Sequence, residues 1–559
     1  MINLMMSTLK RKTVFLGRFA DSQSKTIGGA AFIIATSGIV SRVLGFLRDR
    51  LLAGHFGAGD TLDAYYAAFR IPDTLYNLLV MGALSAAFVP VFTEFISKKK
   101  KREALGLAAG VLEWILLLLG GLSLLAIVAA PAIVPVLAPG FSEGKRALTV
   151  ELTRIMLLSP LFLGASAVFG GMLLSFRCFT AYSLAPILYN LGIIVGVTLF
   201  VPAFGTSGLA WGVAFGALLH MMVQIPSVRS RGFFPSLFHR PLAFNGPVRR
   251  VVTLMIPRTL GIAANQLSLF LTTVFASLLV PGSLAIFTLA SNIGAIPIGL
   301  FAVSFSLAAF PTLSFSASEK RNGDFFDTLS RTTKRILFFV VPVSMLFIVY
   351  RAQVVRVILG SGQFDWNDTI ATFNVLAWLS ASLFAQGLIP LFARAFYALQ
   401  DTKTPLFIAI LGEAVYVVSV ILLMPRYGTN ALAMAFSLGN AVNVLFLLLA
   451  LRKKVEGWDD TQFFRENAMI FLAAILAGGV AQVSKSVFAF FTMSPLDTFL
   501  KVFLQLSFGS VLGFGTFLLL CHWFRIEEYR SLRRFVVSKV LRTPEAISSV
   551  EGHPEKGEW

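Results

Sequence analysis

Residues 41–50 read SRVLGFLRDR, and they place Arg42, Arg48, Asp49 and Arg50 at the end of an apolar run, IGGAAFIIATSGIV, from Ile27 to Val40. Such a run enters a bilayer as a helix, because a helix satisfies its own backbone hydrogen bonds in lipid. A charged side chain at the centre of that helix costs at least about 2.5–3.5 kcal/mol on insertion scales, so its default reading is functional. Positions seven apart lie nearly on one line along a helix. Ser41 and Arg48 therefore share one line, and Arg42 and Asp49 share the next, about 100° around the axis. With Gly38 and Gly45 close by, the four make a polar sector that can face a wet cavity while the rest of the helix faces lipid. A second reading stays open for the end of the stretch: Arg48, Asp49 and Arg50 snorkel to the far interface and pair with one another. Arg50 suits that reading; Arg42 lies deeper, and snorkelling explains it poorly.

The rest of the chain sets this helix in a polytopic membrane protein. Of 559 residues, 56% are hydrophobic and only 13% charged, with mean hydropathy +0.79, against roughly 25% charged in soluble domains. Long uniform apolar runs with internal Gly and Pro predict helical spans rather than the alternating strands of an outer-membrane barrel. About fourteen are expected, from 27–55 through 497–524, with Pro72 and Pro297 as candidate kinks. The net charge of +19 and pI near 10.1 would suggest nucleic acid in a soluble protein. Here Lys and Arg crowd alternate loops, such as Lys98–Lys101, Arg229–Arg250 and Arg452–Lys454, whereas HFGAGDTLD, VPGS and GSGQFDWND nearly lack them. That is the positive-inside pattern, with both termini cytoplasmic; it argues for a membrane partner and against nucleic acid. The first residues lack the continuous apolar core of a cleavable signal, and the two cysteines, Cys178 and Cys521, suggest neither a disulfide framework nor a thiolate metal site.

An internal repeat organises the spans. GTSGLAWGVAFG at 205–216 returns as GTNALAMAFSLG at 428–439, and SAAFVP at 85–90 returns as LAAFP at 307–311. A shift of about 220 residues thus relates six spans to the next six in the same topology, a parallel repeat with its natural substrate site between the lobes. The expected division is a tail at 1–26, an N-lobe at 27–230, a C-lobe at 246–453, two additional helices at 466–524 and a basic tail at 525–559. The tail RIEEYRSLRRFVVSKVLR (525–542) reads as an amphipathic interfacial helix.

Other polar residues fall inside spans. Arg70 sits in AAFRIPDTLYNLL, Arg258 in MIPRTLGIAANQ ahead of Asn265 and Gln266, and Asn292 occupies the repeat position of Arg70. The planar fork of arginine suits phosphate, and a diphosphate would engage several. The expected cargo head is anionic. Glu413 and Glu113 are candidate ion-coupling groups, a structural or interfacial role being the equal alternative. No Walker loop or HExxH motif is present and the five histidines are dispersed, so neither catalysis, metal nor cofactor is expected, and transport would draw on an ion gradient or the membrane potential.

The run SRVLGFLRDRLLAGHFGAG, followed by DAYYAAFRIPDTLYNLL and GALSAAFVPVF, resembles the N-terminal signature of the MurJ/MviN family; RAFYALQDTKTP (394–405) and GSGQFDW are also similar to it. The resemblance covers roughly 27–525. It implies the fold of the MATE-like multidrug/oligosaccharidyl-lipid/polysaccharide exporters, two six-helix lobes plus two helices bordering a groove for a polyprenyl tail. The implied activity is flipping lipid II, the undecaprenyl-diphosphate-linked peptidoglycan precursor, to the outer leaflet. The first-helix arginines and aspartate of the family fall on Arg42, Arg48 and Asp49, and its second-helix aspartate on Asp63, so that Asp49 and Asp63 are the expected gating and pairing partners that compete with cargo for the arginines. Where many relatives carry LLRR and EGA, this chain has Tyr76 and Met81; an eighth-span arginine of some relatives is Asn292, and Tyr416 stands about where a sodium-site Asn is expected. These departures keep two alternatives open: an exporter of another polyprenyl-linked glycan, or a non-transporting scaffold for envelope-synthesis proteins.

Overall fold

The structure, a computed structural model, describes residues 27–81, 84–233, 246–455, 458–492 and 498–540. The expected N-terminal tail and the end of the basic tail lie outside these. The described residues form helices and turns, with no strand among them. Among the described residues, ten helices are long and apolar enough to cross a membrane, or eleven if Trp366–Ala381 and Leu383–Ala398, bent by 44°, count as one span. Fourteen were expected; the expected spans outside this set are 27–55, 61–96 and 247–280, and parts of the first and third lie outside the residues whose side chains are described. The first helix, Ile27–Phe56, carries the charges of SRVLGFLRDR. The second span breaks into Asp60–Ala68, Arg70–Tyr76, a π-helical turn at Asn77–Met81 and Leu84–Ser97.

Two compact units divide the chain: Met1–Thr288 with Ile358–Thr369, and Leu289–Val357 with Ile370–Trp559. In the first unit, buried Phe88, Phe92, Phe169 and Phe233 anchor an apolar core. Helices Phe179–Val195 and Ser207–Met222 cross at glycines: a Cβ on Gly192 would stand 2.2 Å from the Gly216 Cα. Small residues at such a crossing let two backbones approach, the usual means of helix association in lipid.

In the second unit, Asp460–Thr492 and Phe499–Trp523 pack on Asn322–Val349 through Ala473, Ala474, Ala477 and Phe517, which join Phe338 in one core. Polar contacts pin the same surface. The Tyr350 hydroxyl donates to the Ala481 carbonyl at 2.8 Å, and Lys334 pairs with Glu466 at 2.7 Å. A Cβ on Gly509 would strike the Tyr350 ring.

Backbone geometry repeats between the units. Left-handed residues end helices at Lys99 and Lys320, at Arg177 and Gln400, and at Gly205 and Gly428, each pair about 220 residues apart, as a parallel repeat requires. π-Helical turns recur at Asn77–Met81 and Ile298–Ala302, the latter directly after Pro297. A π-turn inserts a residue into the helical ladder and frequently marks a functional position.

Candidate functional site

The first helix and Phe179–Val195 build one polar constellation. Arg48 donates from Nε and Nη2 to Asp49 Oδ1 at 2.9 and 2.8 Å, and from Nη1 to Asn190 Oδ1 at 3.1 Å. Asn190 in turn donates to the Ser41 carbonyl and hydroxyl at 3.2 and 3.3 Å. Gly45 lies on the same face, and a Cβ there would already be 3.9 Å from Asn190 Oδ1. The line joining Ser41 to Arg48 is therefore real: both meet one amide. Asp49 is 3% exposed, whereas the Arg48 side chain keeps 23%. A buried carboxylate thus fixes the guanidinium while its face stays reachable, because charge-assisted fork contacts impose orientation as well as energy.

The second line behaves differently. Asp49 is buried, but Arg42 is exposed and makes no hydrogen bond or ion pair among the described residues. Arg50 donates to the Gly360 carbonyl at 3.0 Å and so ties the helix end to the loop that carries GSGQFDW.

Broken-span residues extend the polar region. Arg70 Nε donates to Thr273 Oγ1 at 2.8 Å, and Gln266 donates to Thr74 Oγ1 at 3.2 Å, both from helix Gly246–Ser277. Arg258 lies in that helix; its side chain is outside the described residues, as is that of Met81. Asp73 is within electrostatic reach of Arg70 and Arg48, and Tyr66 of Asp49, Arg48 and Arg70. The Tyr66 hydroxyl is buried with no hydrogen-bond partner among the described residues. Tyr76 packs half-buried against the first unit's core, near Tyr182 and Asp73.

Asp63 is not brought to the arginines. It is 1% exposed and accepts from the Gly282 and Ala285 amides at 2.7 and 2.8 Å and from Lys145 at 2.7 Å. Lys145 also pairs with Asp60 and sits 4.1 Å over the Phe141 ring. A carboxylate at the start of helix Ser283–Pro297 satisfies amides that have no partner inside the helix. Gly282, at φ +87, has no room for a Cβ against the Ala58 carbonyl. Nearby, Ala58 N donates to Asp368 at 2.9 Å and Gln363 N to the Gly54 carbonyl at 2.8 Å. HFGAGD, VPGS and GSGQFDW thus form one interlocked set of turns.

Asn292 and Glu413 belong to the second unit, each half-buried on its helix. Glu113 is half-buried in Lys101–Leu137, and its Oε2 has no hydrogen-bond partner among the described residues. The RAFYALQDTKTP motif is a helix junction. Gln400 turns left-handed, and Asp401 accepts from the Lys403 and Thr404 amides and pairs with Lys454. Burial alone would push the Asp401 carboxyl up, but the bonds from Lys454 and Thr404 outweigh it and hold it well below the usual carboxylate range.

Sequence reading missed Asn190, Tyr66, Asp73 and Lys145. A lone amide four residues after Pro186 in an otherwise apolar span was the one available signal for Asn190; Lys145 gave none, since its partner is 82 residues away.

A sequence model of the lipid II flippase MurJ family matches residues 52–501. The chain belongs to the MurJ family. Lipid II flippase MurJ of Burkholderia cenocepacia is 30% identical over 454 residues, spanning 79% of this chain and 87% of the relative. Among solved structures, a lipid II flippase MurJ in an inward closed conformation superposes with TM-score 0.71 at 23% identity, over 90% of this chain and 99% of that one. An inward-facing multidrug resistance MATE family transporter of the MOP superfamily matches with TM-score 0.64 at 15% identity, over 76% and 98%. These two likenesses establish the fold: this chain shares the architecture of those MurJ and MATE transporters.

Proposed function

We propose that this chain flips lipid II from the inner to the outer leaflet of the bacterial cytoplasmic membrane by alternating access of its two lobes. Its membership of a family whose relatives are named lipid II flippases carries the reading, and the arginine constellation supports it chemically. Arg48, oriented by Asp49 and Asn190, offers a fixed fork to a diphosphate, and exposed Arg42 adds a second guanidinium about two helical turns away. Arg70 and Arg258 add charge, while Ser41, Tyr66, Tyr76 and Asn292 supply hydrogen-bond donors. Holding by several groups, one of them already shared with a carboxylate, suits a cargo that must be released. Asp63 serves the interlocked turns, and Glu413 is the candidate ion-coupling group. The loop charges support cytoplasmic termini.

The test is complementation in cells depleted of their own flippase. The parent chain restores growth, and Arg42→Ala and Arg48→Ala abolish it at unchanged membrane abundance. Unimpaired growth of both variants would remove the site assignment. Tyr76 and Met81, in place of the charged residues of many relatives, are the observation favouring a different polyprenyl-linked glycan. A parent chain that fails here but translocates another polyprenyl-diphosphate sugar would establish that reading.

A further inference from the structure

The end of helix Phe499–Trp523 turns sharply into helix Glu527–Val540, with Arg525 left-handed at φ +58. Between the two helices opens a cleft of about 720 Å³ lined by His522, Trp523 and Arg525 on one side and by Arg530, Arg533, Arg534 and Val537 on the other. The last four stand at i, i+3, i+4 and i+7, a single helical face. A neighbouring face holds the helix in place: Ile526, Tyr529 and Leu532 pack on the second unit's core. The acidic residues of the first turn point elsewhere. Glu527 lies 3.8 Å from Lys334, and Glu528 is within electrostatic reach of Lys334 and Glu466.

Four guanidiniums therefore surround one cleft, and among the described residues none of them makes a side-chain hydrogen bond or an ion pair. Like charges gathered this closely repel, and an anion relieves the repulsion; the guanidinium fork matches phosphate. The position of the cleft selects the source of that phosphate. Trp523 is 76% exposed and Leu519, one turn before it on the same face, 70% exposed. This apolar stripe belongs to the lipid-facing side of a span and ends in tryptophan, the residue of the membrane interface. The cleft opens at the end of that stripe, at headgroup level. It lies beyond residue 501, where the match to the MurJ family ends.

We infer that this cleft binds the phosphodiester headgroup of an anionic glycerophospholipid, with Arg530, Arg533 and Arg534 on the phosphate and Trp523 against the glycerol and upper acyl region. The site is independent of the transport site and of the cargo assigned to it.

Native mass spectrometry of the full-length chain, titrated in detergent with phosphatidylglycerol or phosphatidylcholine, tests it. The parent retains phosphatidylglycerol in preference to phosphatidylcholine by about tenfold or more, given about 1 kcal/mol for each basic residue near a membrane surface. R530Q/R533Q/R534Q loses the preference. R530K/R533K/R534K keeps most of it, which separates loss of charge from loss of fold, and K98Q/K100Q, in another basic loop, leaves it unchanged. Equal retention of the two lipids by the parent, or an undiminished preference in the glutamine variant, would overturn the site. Displacement of phosphatidylglycerol by equimolar inorganic phosphate would overturn the lipid assignment, as would equal displacement by an undecaprenyl diphosphate.

Discussion

Asp49 and Asp63 lie in one stretch of sequence, are both almost fully buried, and do opposite work. Asp49 faces a guanidinium that stays partly reachable. Asp63 is enclosed by two backbone amides and a lysine that is itself 7% exposed. A carboxylate that orients a partly exposed fork leaves its partner available to a ligand; one that completes a helix start and a lysine pair is spent on the fold. Family membership alone would treat both as functional acids, and the partners separate them.

Removing Asp63 carries the largest expected effect. Asp63→Ala strands two buried amides and leaves the Lys145 ammonium only the exposed Asp60, and breaking a buried pair by removing one partner costs up to about 3–5 kcal/mol. The folded yield and the thermal midpoint in detergent should fall together, with transport lost only in proportion to folded protein. A well-folded, transport-dead Asp63→Ala would move Asp63 to the functional side of the comparison.

Next comes Arg48→Lys. The ammonium still neutralises Asp49, but a point charge cannot span Asp49 and Asn190 as the fork does. Stability should stay within about 1 kcal/mol of the parent while transport falls at least tenfold. Equal loss of both would make Arg48 structural, like Asp63.

Tyr66→Phe removes a hydroxyl that has no hydrogen-bond partner among the described residues, so stability should shift by no more than about 0.5 kcal/mol. Transport should slow several-fold if that hydroxyl meets the cargo. An unchanged rate would exclude it.

Asp401 supplies the smallest effect and a control outside the membrane. Its carboxyl is depressed in the folded state, so its contribution is fully present above the unfolded value of about 3.9 and is lost as pH falls below it. With Lys454 43% exposed, the pair is worth no more than about 1 kcal/mol. Asp401→Asn should lower the neutral midpoint by no more than that amount and leave the midpoint at the acid end almost unchanged, so that the acid limb flattens.

The two carboxylates also mark what the sequence could show. Spans and repeat were legible because hydrophobic runs are local properties. The line from Ser41 to Arg48 was legible because helical periodicity is local too. The breaks of the second span around Phe69 and at Asn77–Met81 left no local signal beyond Pro72. What joins Arg48 to Asn190, 142 residues on, or Asp63 to Gly282, 219 residues on, is tertiary. No spacing rule reaches that far. Sequence reading therefore grouped Asp63 with Asp49 as partners of the arginines, and only the helix start at Ser283 shows where Asp63 is engaged.

The most direct measurement is translocation of lipid II by the reconstituted full-length chain, followed as the fraction of labelled lipid that becomes accessible to a membrane-impermeant reagent. The account predicts transfer by the parent and none above protein-free vesicles by Arg42→Ala or Arg48→Ala, each reconstituted at equal folded amount. A parent that leaves lipid II in its original leaflet, or an Arg48→Ala variant that moves it at the parental rate, would contradict it.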